Sequence, residues 1–201
     1  MSPSEFEKLL SEIIEEFLLN QTPEEGYYSE ASAQLKIGLE LWKTVKSEPK
    51  LEYYHKASNS YLDIFIDIGG VRYGVELKYK TRAQKGFFYK NQGAQNNGLY
   101  FFLADISRIE LFKKDGIIDE GFSVFLTNDP SYWGKKRAGS HVKPFELTDG
   151  TTIQGTYAPM WKVDAKACPV LHIDGPYSVE WMKSLASGKN GGAFRALVIH
   201  G

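Results

Sequence analysis

Asp63, Glu76 and Lys78 are the residues of this chain whose types and spacing could do chemistry. They lie on two strand-like runs, Tyr61–Ile68 and Val71–Lys80, separated by Gly69-Gly70, a pair that reads as a type I′ or II′ hairpin turn. Such a turn sets the register. Ile68 faces Val71, and counting outward gives Ile66–Tyr73, Ile64–Val75 and Leu62–Leu77 on one face, all apolar, as a buried sheet face requires. The other face carries Asp67–Arg72, a salt bridge near the turn, then Phe65–Gly74, Asp63–Glu76 and Tyr61–Lys78. Carboxylates placed directly opposite each other repel. A divalent cation between Asp63 and Glu76 removes that cost, because Mg²⁺ takes oxygen ligands from one or two carboxylates. Lys78 emerges on the same face as Glu76. An ammonium there can offset negative charge, position a water or stabilise a pentavalent phosphate. A departure from the pairing rules of a plain sheet is expected where a site is built.

The flanking sequence predicts the elements that must hold this hairpin. Ser2-Pro3-Ser4-Glu5 is a helix start, with a serine cap, a proline in the first helical position and a glutamate that can close a capping box. Phe6, Leu9, Leu10, Ile13, Ile14, Phe17 and Leu18 then form one apolar stripe to about Leu19, and Thr22 to Gly26 breaks the pattern. A second helix is expected from near Ser29 to about Lys46, with Ala31, Leu35, Leu39, Trp42 and Val45 facing inward. A short strand at Leu51–Lys56 precedes the hairpin. After it come a helix from about Asn91 to Lys114, a strand at Phe122–Leu126, irregular loops and small strands from Ser131 to Pro176, a short helix over Ser178–Ala186 and a closing strand at Phe194–His200. With no internal repeats, the chain reads as one α/β domain, a central mixed sheet flanked by helices.

Asp63 followed by Glu76-Leu77-Lys78 on a hairpin resembles the PD-(D/E)xK nuclease superfamily, which includes type II restriction endonucleases and archaeal Holliday-junction resolvases. Leu62 stands where that family often has proline. The resemblance covers roughly residues 28–128, with 129–201 a C-terminal elaboration, and implies a restriction-endonuclease-like fold. It implies Mg²⁺, with Mn²⁺ able to substitute, bound by Asp63, Glu76 and the main-chain carbonyl of Leu77, while Lys78 orients or deprotonates the attacking water. Many members add a glutamate from an N-terminal helix. Glu30 is the best placed, with Glu15, Glu16 and Glu40 as alternatives. Many also carry a supporting glutamine on the helix after the hairpin, and Asn91-Gln92-Gly93-Ala94-Gln95, followed by Tyr100, resembles that element, Gln95 being the better placed. The run from Leu99 to Glu110 is similar to uncharacterised bacterial members. The activity implied is an endonuclease hydrolysing the phosphodiester bonds of duplex or branched DNA. The alternatives are an RNA-directed nuclease and a nuclease fold that binds nucleic acid without cutting it. Lys80, Arg82, Lys85 and Lys90 after the catalytic strand, and Lys135, Lys136 and Arg137 after Trp133, are candidate phosphate clamps. Cutting both strands calls for two sites, so a homodimer is expected.

Composition excludes several other classes. The 201 residues, 42% hydrophobic and 24% charged, suit an ordinary globular domain rather than a disordered or fibrous chain. A net charge of −1 argues against a protein that coats nucleic acid nonspecifically, and less against an enzyme with one basic face. No apolar run is long enough to span a bilayer and no secretion signal is read, so no membrane partner and a cytoplasmic location are expected. Cys168 has no second cysteine to pair with, and His55, His141, His172 and His200 lack metal-ligand spacing. No Gly-x-Ser-x-Gly elbow, Walker loop or Rossmann fingerprint occurs.

Overall fold

Helix α1, Pro3–Leu19, begins as its sequence dictates: the Ser2 side chain accepts the Glu5 N–H, and the Glu5 carboxylate accepts the Ser2 N–H at 2.6 Å. The computed structural model that contains it describes residues 1–20, 29–83, 89–92, 95–159, 168–182, 185–186 and 193–201. Phe6, Leu10, Ile13, Ile14, Phe17 and Leu18 of α1 are buried, and Phe6 stacks on Tyr73 at 4.2 Å. Each such side chain contributes about 1.5–3 kcal/mol by leaving water. Helix α2, Glu30–Val45, lies beside α1 on the same face of the sheet.

The central sheet has the order β1 (Lys50–His55), β2 (Ser60–Ile68), β3 (Val71–Lys80), β4 (Glu120–Thr127), β8 (Ala193–His200), β7 (Leu185–Ala186). Only β3 and β4 run parallel, so the sheet is mixed. Their crossover is α3, Gln95–Lys114, on the face opposite α1 and α2. A second, two-stranded sheet of β5 (Thr152–Tyr157) and β6 (Leu171–Ser178) packs on the outer side of α3. Helix α3 is therefore covered from two sides, and its Leu99, Tyr100, Phe102, Leu103, Ile106, Ile109 and Phe112 are all buried. Among the described residues no helix is long and apolar enough to cross a membrane.

The hairpin has the expected register from Ile68–Val71 to Ile64–Val75, and Gly69 and Gly70 both have positive φ (64° and 86°), as a type I′ turn requires. Beyond Ile64–Val75 the strands part. The outer pairs Asp63–Glu76, Leu62–Leu77 and Tyr61–Lys78 do not form, and β3 continues with β4 alone. The cause is a kink shared by β1 and β2. Leu51–Ile64 and Tyr53–Leu62 pair, the Glu52–Asp63 pair between them is missing, and Glu52 has φ of 51°. Leu51 and Ile64 pack toward α1 and α2, whereas Tyr53 and Leu62 pack with Phe65, Ile109, Phe112 and Ile118 on the other face. Leu62 has thus changed face relative to Ile64.

Four further expectations are corrected. The buried face of α2 is Ala33, Gln34, Ile37, Gly38 and Leu41, while Leu35, Leu39 and Trp42 are exposed. Arg72 stands opposite Asp67, but its side chain pairs with Asp119 (Nη2–Oδ1 2.6 Å), and Asp67 instead accepts the Gly70 N–H at 2.9 Å. Among the described residues of 178–186 there is no helix: Ser178 ends β6, Trp181 bridges to Leu197, and Leu185–Ala186 is strand β7. Asn91 and Gln92 precede α3 rather than opening it, and residues 93–94 lie outside the described residues.

Candidate active site

The departure of β2 strips β3 of its hydrogen-bonding neighbour, and unpaired backbone N–H groups must find acceptors. Two carboxylates supply them. Asp63 Oδ2 accepts the Leu77 N–H at 2.6 Å, and Glu30 Oε2 accepts the Tyr79 N–H at 2.8 Å. Glu30 is the first residue of α2, just after the Ser29 cap, where a carboxylate is favoured by the helix dipole. Gln34, one turn further along, fastens the kink itself: its amide donates to the Asp63 carbonyl at 2.5 Å and to Glu52 Oε1 at 3.1 Å.

On the α3 side, Glu76 is 1% exposed. Arg108 grips it with both prongs, Nε to Oε1 at 3.0 Å and Nη2 to Oε2 at 2.8 Å, and the same Nη2 donates to Asp105 Oδ1 at 2.6 Å. The Lys78 ammonium lies between Glu30 (3.3 Å) and Asp105 Oδ2 (3.5 Å), and that Oδ2, fully buried, accepts no hydrogen bond. Ser123, the neighbour of Glu76 in the β3–β4 register, likewise has a buried hydroxyl that makes no hydrogen bond.

Burial pushes the Asp63 carboxyl above the ordinary range, against the opposing Leu77 hydrogen bond. It pushes Glu76 well up despite Arg108, and Asp105 up despite Lys78 and Arg108. For Lys78, burial alone would favour the neutral amine, but Asp105, Glu30 and Asp63 outweigh it and hold the ammonium above its usual pKa. The cluster sets four carboxylates, Glu30, Asp63, Glu76 and Asp105, against two cations, Lys78 and Arg108. With all four ionised, it would be short of positive charge by two.

A divalent cation fits this donor set in chemistry and in charge: the donors are hard oxygens, and one such ion would neutralise the excess. The arrangement is not preassembled. Among the described residues no three His, Cys, Asp or Glu side chains are disposed to hold a metal ion. Arg108 takes both oxygens of Glu76, and the edge N–H groups of β3 engage Asp63 and Glu30.

The other residues singled out in the sequence divide three ways. Glu40 is tied to Lys36 and Lys43, and Glu15 and Glu16 are exposed on α1, so none of the three joins the cluster. Gln95 opens α3, but its side chain, like all of Lys85, lies outside the described residues. Lys80 ends β3 and Arg82 and Lys90 follow it, while Lys135, Lys136 and Arg137 follow the C-terminal end of β4. The two exits leave the sheet together, Lys80 opposite Thr127, and Asn128 joins them by accepting the Arg82 N–H at 2.7 Å. Lys136 is not free, because its ammonium donates to the Ser131 carbonyl and burial lowers its pKa. Asp105 and Arg108 were missed as site residues. Their signal was a pair of opposite charges one turn apart in a helix otherwise lined by Phe102, Leu103, Ile106 and Ile109. No family model, curated protein or solved structure matches the chain.

Proposed function

We propose that this protein is a divalent-metal-dependent nuclease, most readily a DNA endonuclease, on a sheet of the restriction-endonuclease type. One observation carries the reading. Helix α2 and the hairpin strands β2 and β3 bring Glu30, Asp63, Glu76 and Lys78 to the point where β2 leaves β3, with two negative charges in excess when all are ionised. Asp63, Glu76, Glu30 and the Leu77 carbonyl would hold Mg²⁺ or Mn²⁺. The ion would supply an acidified water and a clamp on the leaving oxygen. Lys78 stays an ammonium, which suits it to orienting a water or a phosphate oxygen rather than to removing a proton. Lys80, Arg82, Lys90, Lys135 and Arg137, at one end of the sheet, would hold the nucleic-acid backbone.

The Arg108–Glu76 ion pair favours a second reading, a nuclease fold that binds nucleic acid without cutting it. Supercoiled plasmid, incubated with Mg²⁺ or Mn²⁺, with EDTA and with the Asp63→Ala variant, separates the two. Metal-dependent nicking that the variant loses is the expected result. Linear product in place of nicked circle would indicate two sites acting together, as in a homodimer. Nicking that survives Asp63→Ala sinks the metal-site reading. Intact duplex, branched, single-stranded and RNA substrates together would favour the binding module.

A further inference from the structure

We propose that Arg108 is the resident counter-ion of this site, occupying on Glu76 and Asp105 the place a divalent cation takes, and that Asp105 is a further acidic ligand of that cation. The inference rests on the metal-dependent reading above and adds two residues of α3 to it.

The geometry is uneven in a telling way. Glu76 and Asp105 have side chains 1% and 2% exposed, whereas that of Arg108 is 34% exposed. Arg108 forms part of the wall of an open groove of about 370 Å³, with Tyr100, Ala104, Leu111, Pro169 and Leu171. The guanidinium therefore has somewhere to go, and the carboxylates have not. A long side chain that reaches inward from a solvent-facing groove can swing out by rotamer changes without moving α3.

The plain alternative is a permanent buried salt bridge that pins α3 to β3. A permanent bridge should leave no buried oxygen over, since an unsatisfied acceptor is costly in a low-dielectric site. Here Asp105 Oδ2 accepts no hydrogen bond and has only the Lys78 ammonium beside it, 3.5 Å away, and with all four carboxylates ionised the charge stays two short with Arg108 in place. One guanidinium is shared between two carboxylates, using Nε and Nη2, with Nη2 serving both. A doubly charged ion offers these oxygens more than a shared single charge does. The affinity for metal is then the intrinsic affinity reduced by the fraction of molecules in which Arg108 has let go.

The test is Mn²⁺ binding to the full chain, read from the electron paramagnetic resonance signal of free Mn²⁺. Arg108→Ala is expected to bind Mn²⁺ about tenfold more tightly than the wild type or better, because one competing charge has gone. Adding Glu76→Gln or Asp105→Asn to Arg108→Ala is expected to reverse the gain. Equal affinity of wild type and Arg108→Ala overturns the proposal, as does a gain that neither second substitution touches. Should Arg108→Ala lack the circular dichroism of the folded chain, Arg108→Lys decides: it keeps a charge and loses the fork, and about threefold tighter binding is expected. Equal affinity there overturns the proposal too. Tighter Mn²⁺ binding by Arg108→Ala, with no cleavage of any nucleic acid, keeps the counter-ion and removes the nuclease. Metal-dependent cleavage with unchanged Mn²⁺ affinity does the reverse.

Discussion

Asp63 serves two purposes that can be pulled apart. As an acceptor for the Leu77 N–H it needs only an oxygen, which asparagine would also supply. Its charge, by contrast, is a cost in the metal-free protein: burial raises its pKa, and Glu30 adds to the rise. The sign of the pH effect follows. A carboxyl whose pKa is higher folded than unfolded gives its full stability below the ordinary value of about 4 and loses it as pH rises through the folded value. Asp63→Asn removes that loss. In EDTA at neutral pH the variant is expected to melt a few degrees above the wild type, with the gap closing toward about pH 4. A lower melting temperature at neutral pH would mean that attraction to Lys78 outweighs burial, and the cost assigned to this charge would be wrong. Functional carboxylates held at the expense of stability are common, and the same substitution should also abolish nicking.

At the scale of elements, α2 and α3 are placed by small residues as much as by large ones. Helix α2 has two apolar stripes, and the bulkier one, Leu35, Leu39 and Trp42, faces outward. The buried stripe includes Gly38, whose missing side chain admits Leu51 (a Cβ would stand 3.1 Å from its Cδ2), and Gln34, whose amide is satisfied at the kink. Helix α3 is set against β4 by Gly121, where a Cβ would lie 2.4 Å from Ile109 Cγ2. Gly121→Ala is therefore expected to cost about 1–3 kcal/mol by overpacking, measured by urea denaturation. Combining it with Ile109→Ala should cost less than the sum of the two single changes. Simple additivity would mean that α3 does not rest on this contact. Because α3 carries Asp105 and Arg108, its seating also sets the distance between them and Glu76.

For the whole molecule, the parallel pairing of β3 with β4 matters most. It needs a crossover, which α3 provides, and it brings both basic segments out at one end of the sheet. A duplex bound there should show affinity that falls with salt, measurable by fluorescence anisotropy on a labelled oligonucleotide. Lys135→Ala and Arg137→Ala are each expected to reduce the log–log salt slope by about 1. Lys136→Ala should leave the slope unchanged, since its ammonium is committed to the Ser131 carbonyl. A slope that responds to Lys136 and ignores its neighbours would place the nucleic acid elsewhere.

What the sequence determined by itself is local. The Ser2 capping box, the Gly69-Gly70 turn, the inner register of the hairpin and the presence of α1, α2, β3, β4 and β8 all follow from patterns a few residues long, whose physics is steric or periodic. Asp63, Glu76 and Lys78 could be read in the same way, as could Glu30 at a helix start. Which face of α2 is buried, whether Ser178–Ala186 is helix or strand, and what Arg72 and Glu76 bind depended on partners remote in sequence: Asp119 for Arg72, Arg108 for Glu76, Leu197 for Trp181. The hairpin shows the division most clearly. Counting outward from its turn put Asp63 opposite Glu76, but the kink at Glu52 and Asp63, held by Gln34, parts the strands one pair earlier. Asp63 and Glu76 do not face each other as a ladder pair, because the strands part before that pair forms. Where they part, Asp63 and Glu30 turn toward the bare edge of β3, while Glu76 turns toward the arginine of a helix that no local pattern could have placed there.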